Sequence, residues 1–210
     1  MTDTPQRFYP NRFARLLIQA MQTELGEYST ETLLTQAALP TVLPPDTLER
    51  EYPFAQLAAL NRALLTTYGD KGGGALGVSI GQTWFDSLAT FGAFAAYNDP
   101  AFLRLPLDVR SGIGVKVLGE VFSRMSDQTS TYEYIPNAHH LAVEHSPFVY
   151  EGASAPTCHL LSGLVIGCQS AATGGMIYAV REIECRSTGG ARCLFSVSTK
   201  PVKRSTISSV

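Results

Sequence analysis

Near residue 129 the apolar residues of this chain change their spacing. Before that point they recur every three or four positions, the period of an amphipathic helix. After it they fall in short β-branched and aromatic runs, the composition of strands. A chain that starts helical and ends in hairpins has few packing solutions. The expected fold class is α+β: N-terminal helices packed on an antiparallel sheet of about four strands, in the order helices, two strands, helix, two strands.

The helical half divides at glycines and prolines. Asn11 is expected to cap a helix carrying Phe13, Leu16, Leu17, Ala20, Met21 and Leu25, with Gly26 as its stop. A shorter helix is expected from Thr30, before the link PTVLPPD breaks the chain. Leu57, Leu60, Leu64, Leu65 and Tyr68 mark a third helix ending at Gly69. A glycine-rich loop then leads to a fourth, with Trp84, Phe85, Leu88, Phe91 and Ala95, and Pro106 opens a fifth. STYEYI and HHLAVEHSPFVYE read as two or three strands, and Leu160, Leu161, Leu164, Val165, Cys168 and Ala172 as a last helix. MIYAVREIEC and CLFSVST close the chain as strands around RSTGGAR, whose Gly189 and Gly190 suit a hairpin turn. The expected division is a helical extension over 1–45, a domain over 46–199 and a polar tail over 200–210.

With 45% hydrophobic and 16% charged residues, the 210-residue chain has material for a sizeable core. Eighteen acidic and sixteen basic residues give a formal charge of -2, without a basic run to follow phosphates, so no nucleic-acid partner is expected. The N-terminus lacks the pattern of a secretory signal, and no apolar stretch reaches the roughly 18 residues of a membrane span. A cytoplasmic protein without a transmembrane segment is expected.

In such a compartment four cysteines are unsuited to a disulfide framework. Cys185 and Cys193 flank the terminal hairpin turn, Cys158 precedes the last helix, and Glu182 lies three residues before Cys185. Together they offer a four-ligand zinc set. In a regular strand Glu182 and Cys185 point to opposite faces, so the set requires a bulge near Glu184. Reduced core thiols, or a hairpin disulfide, remain alternatives on spacing alone. Cys168 falls on an apolar helical stripe and is read as core. Gly72, Gly74 and Gly77 match G-x-G-x-x-G but follow a helix and not a strand, so they are read as a tight, mobile connection. His139, Leu141, Val143 and His145 share one strand face, but no partnered nucleophile accompanies the imidazoles, and no catalytic residue is assigned. Trp84, Tyr132, His140 and Tyr178, which join apolar surface to a polar tip, are the candidate ligand-binding residues.

The segment from Cys158 through EIECRSTGGARCLFSV resembles the 4-vinyl reductase domain family: a Cys before a helix, then E-x-x-C, a Gly-containing turn and C-x-F. The resemblance extends more weakly upstream through NRALLTTYGDKGGGALGVSIGQTWF, over about residues 10–199. It implies the ligand-binding superfamily that includes transport-protein-particle subunits, and a structural zinc held by Cys158, Glu182, Cys185 and Cys193. It further implies a non-catalytic binding or carrier domain for a small hydrophobic, aromatic or tetrapyrrole-like ligand, a homodimer, and a possible protein partner. Two other readings follow from the same resemblance: a reductase or accessory factor acting on the vinyl group of a chlorophyll precursor, and a scaffold or assembly factor in a complex. No ATPase or DNA-binding module accompanies the segment, so any signal is expected to pass to a separate partner.

Overall fold

The computed structural model describes residues 5–202. Helix α1 (Asn11–Leu25) buries Phe13, Leu17, Ile18 and Met21, and Gly26, at a φ of 83°, separates it from α2 (Glu27–Gln36). The second helix thus begins three residues before Thr30. Asn11 does not cap α1: its side-chain amide donates to Thr47 Oγ1 and Glu51 Oε2, and Pro10 occupies the cap position. Short strands β1 (Phe8–Pro10) and β2 (Arg50–Pro53) pair antiparallel. Three or four residues with a proline in each carry too little alternation to read as strands.

Helix α3 (Phe54–Leu88) bends at Gly69, whose φ of 72° and ψ of 163° suit glycine alone. The expected glycine-rich loop is therefore absent, and Gly72 to Gly77 are helical. Their role is close packing against α7 (His159–Thr173). A Cβ on Gly81 would stand 2.2 Å from the Leu160 carbonyl oxygen, and one on Gly163 2.1 Å from that of Val78. Tertiary packing overrides the low helix propensity of glycine here. Short helices α4 (Gly92–Ala95) and α5 (Pro100–Leu103) lead to α6 (Leu107–Met125), which starts after Pro106 as expected.

The strands β3 (Ser130–Ile135), β4 (Ala138–Val143), β5 (Tyr178–Glu184) and β6 (Cys193–Pro201) form one antiparallel sheet in the order β3-β4-β6-β5. Residues 144–157 are a loop after β4 and not a further strand. Helices α6 and α7 lie against the sheet, α3 packs on α7, and α1 on α3. Tyr9, Phe13, Trp84, Phe122 and Phe148 meet ring to ring at the centre, and Trp84 Nε1 donates to the Phe13 carbonyl at 3.1 Å. Burial of each such ring contributes roughly 2 to 3 kcal/mol. The core runs without a break from Tyr9 to Val197. Of the polar tail, residues 203–210 lie outside the described residues. Among the described residues no helix is long and apolar enough to cross a membrane.

Candidate functional site

The mouth of the β5-β6 hairpin and the start of α7 bring one set of side chains together. One ligand atom from each of Cys158, Glu182, Cys185 and Cys193 lies within 4.8 Å of all the others. Cys158 Sγ is 3.4 Å from Cys193 Sγ, which is 3.9 Å from Cys185 Sγ. Four tetrahedral ligands at the usual zinc-sulfur distance stand about 3.8 Å apart, so the spacing suits a single zinc ion. The bulge that this set requires is present. Glu182 pairs with Phe195 and Glu184 with Leu194, so β5 advances two residues while β6 advances one. That step turns Glu182 and Cys185 to one side.

Hydrogen bonds hold this set in position. Gly189, at a φ of 93°, closes the hairpin turn, and Gly190 N donates to the Cys185 carbonyl at 2.9 Å. Asn61 on α3 donates to the Phe148 and Thr157 carbonyls at 2.8 and 2.9 Å, which fixes the loop before Cys158. Ser146 Oγ is 3.2 Å from Cys158 Sγ.

The electrostatics of the cluster are those of several acids sharing one charge. Hydrogen bonds from the Cys158 and Cys193 thiols hold Cys185 far below the usual thiol range. Burial, then bonding to Cys185, pushes Cys158 well above it. Burial and then Cys185 push the Glu182 carboxyl up to about 8. Glu182 Oε2 accepts from Cys158 N at 3.1 Å, while its Oε1 is buried without a partner. A divalent cation at the centre would supply both the missing partner and the missing positive charge. Cys168 stands apart in the core, 3.3 Å from the Gly114 carbonyl oxygen.

The ligand candidates chosen from the sequence are spread over the molecule. Trp84 is fully buried in the aromatic core, and His140 lies on the opposite face of β4 from His139, paired with Glu133 and Ser196. Tyr178 is buried on β5, and Tyr132 on β3 bonds to His139 Nδ1 at 3.0 Å. Between helices and sheet, the seam lined by Leu118, Phe122, Leu141, Leu164 and Phe195 keeps only about 10 Å³ of space. Nearer the start of α6, a cleft of about 640 Å³ lies between the first turns of that helix and the β3-β4 end of the sheet. Leu107, Val109 and Ile113 form its apolar wall, and Tyr132, Tyr134 and His139 face them.

Burial lowers the His139 pKa, with the backbone and carboxylate of Asp108 opposing, so the ring is neutral. His145, expected on the same strand face, lies past the end of β4, between Arg7 and Arg186. Sequence reasoning missed Asp108, Ile113 and Lys116 in the cleft wall. The available signal was Gly112 inside a helix: a Cβ there would stand 2.9 Å from both the His139 ring and the Tyr132 hydroxyl oxygen.

Comparison with known proteins gives a fold and a domain. An H-NOX protein from S. oneidensis in the Fe(II)NO ligation state superposes with a TM-score of 0.60 at 12% identity, over 92% of this chain and 99% of that one. The Fe(II) unliganded H-NOX protein from K. algicida does so with a TM-score of 0.60 at 13% identity, over 93% and 98%. A structure addressing heme distortion in the H-NOX family gives 0.57 at 11% identity, over 92% and 96%. No curated protein matches the chain by sequence. At these identities the likeness is one of fold alone. The stretch from β4 to the end of β6, which contains all four clustered ligand atoms, matches a known family: residues 139–199 match the 4-vinyl reductase domain.

Proposed function

We propose that the chain is a non-catalytic binding module: it takes a small aromatic or hydrocarbon ligand in the cleft beside α6, and a structural zinc ion pins its C-terminal hairpin to α7. The observation that carries the zinc assignment is the buried set of three thiols and one carboxylate at tetrahedral spacing. Four protein ligands leave no open coordination position, so the ion serves structure and not water activation. The cleft supports the ligand assignment, being of the size of known small-molecule sites, largely apolar, and equipped with a few polar groups.

The fold neighbours are described with Fe(II) and, in one case, heme. The residues of this chain do not make a haem seat inside the helical core, because Trp84, Phe13, Phe122 and Phe148 fill it. A larger ligand has room only in the cleft.

Two measurements on the whole chain test this reading. Metal analysis by inductively coupled plasma mass spectrometry is expected to give one zinc per chain, lost in the double variant Cys185→Ser, Cys193→Ser together with thermal stability. Metal-free, stably folded wild type prepared without chelator would return the cysteines to the core. Calorimetric titration with 2-naphthol is expected to saturate at one per chain and to weaken about tenfold or more in Ile113→Glu, which puts a charge in the apolar wall. Equal binding by that variant would remove the cleft from the reading.

A further inference from the structure

Among the described residues five buried side-chain polar atoms have no hydrogen-bond partner, and three of them gather at the inner end of the cleft: Arg110 Nε, His139 Nε2 and Tyr178 OH. Arg110 lies between the wall residues Asp108 and Gly112, and Tyr178 pairs with Pro201, next to Lys200 of the wall. Arg110 and Asp108 both act on the Tyr178 hydroxyl, and Asp108 also acts on His139. His139 and Tyr178 are each 4% exposed, so water does not readily serve them. Buried polar groups left without partners are costly and mark a place where something binds.

The chemistry of the three groups is one-sided. A guanidinium Nε can only donate. With the Tyr132 hydroxyl donating to His139 Nδ1, the ring proton lies on Nε2, which then donates as well. The Tyr178 hydroxyl supplies a third donor. Arg110, Lys116 and Lys200 bring positive charge to this end, against the single carboxylate of Asp108 in the wall; Lys116 also reaches Glu120 at 3.9 Å.

We infer that the cleft takes an aromatic carboxylate, its flat apolar body against Leu107, Val109, Ile113 and Tyr134 and its carboxylate directed to Arg110, His139 and Tyr178. Three fixed donors suit two carboxylate oxygens, and charge-assisted bonds in a buried site are the strong ones. The inference rests on the ligand-binding reading above and narrows its ligand class.

Isothermal titration calorimetry on the whole chain tests it with 2-naphthoate and its methyl ester, with 2-naphthol as the neutral reference. Wild type is expected to bind the acid about tenfold more tightly than the ester, the equivalent of one charge-assisted bond. Tyr178→Phe, which keeps the buried ring, should weaken the acid about fivefold and leave the ester unchanged. Arg110→Gln should abolish the preference, and Tyr178→Phe carries the test should that variant fail to fold. Acid and ester binding equally to wild type overturns the inference and leaves the binding module standing. Failure of all three compounds to bind overturns both.

Discussion

At Glu24 one carboxylate joins two helices. It accepts hydrogen bonds from Ser79 and Thr83, which lie on α3, while Glu24 itself is on α1. These two bonds hold its carboxyl below the usual glutamate range, against an opposing effect of burial. A depressed folded value means that the stabilisation is complete above the unfolded value and is lost as pH falls through the folded one. Glu24→Gln is therefore expected to cost about 1 kcal/mol at pH 7. It should also make urea stability less sensitive to acid, as chemical denaturation at about pH 7 and about pH 3.5, on either side of the ordinary glutamate value, would measure. An unchanged acid limb would show that Glu24 does not couple the helices. Nothing in the spacing of the sequence marks Glu24, because its partners lie 55 and 59 residues away. The zinc-type set differs: three of its four members, Glu182, Cys185 and Cys193, sit close together in the chain, and the hairpin that joins them is local.

Among the elements, the contact between α3 and α7 is the most demanding. Gly81 and Gly163 allow the two backbones to touch, and any Cβ there meets main-chain atoms that cannot rotate away. Gly81→Ala is expected to cost about 3 kcal/mol or more, the upper range for overpacking. Gly92→Ala, with nothing within 4 Å, should be neutral or slightly stabilising. Urea midpoints of the two variants check this, and a mild Gly81→Ala would mean that the helices separate easily. Glycine is a poor helix former, so from the sequence the α3 glycines read as a loop. Only the partner helix, far along the chain, explains them. The β5 bulge went the other way: the need for Glu182 and Cys185 to face one centre was enough to anticipate it.

Across the whole molecule, one continuous core joins the N-terminal helices to the sheet, through Tyr9, Phe13 and Leu17 on one side and Phe122, Phe148 and Phe195 on the other. Unfolding is expected to be a single cooperative event. Urea transitions followed by Trp84 fluorescence, which reports the helical centre, and by far-ultraviolet circular dichroism should coincide. An earlier transition at Trp84 would mean that the N-terminal helices detach as a separate unit. The α+β class and the four-stranded antiparallel sheet were legible because the change of hydrophobic period is written along the chain. The β1-β2 ribbon was not, since it pairs Phe8 with Pro53 across a long stretch of chain and each strand is very short.

Local features could be read from the chain alone: helix starts at Asn11 and near Pro106, stops at Gly26 and Gly69, strand alternation after residue 129, and a zinc-type donor set around one hairpin. Each follows from backbone preference or from spacing within a few turns of chain. Where space remains is a matter of tertiary structure. Long-range packing filled the seam around Phe122, opened the cleft beside Ile113 and set the donors of Arg110, His139 and Tyr178 at its end. Voids and unpaired donors depend on how distant elements pack, and no local pattern in the chain encodes them.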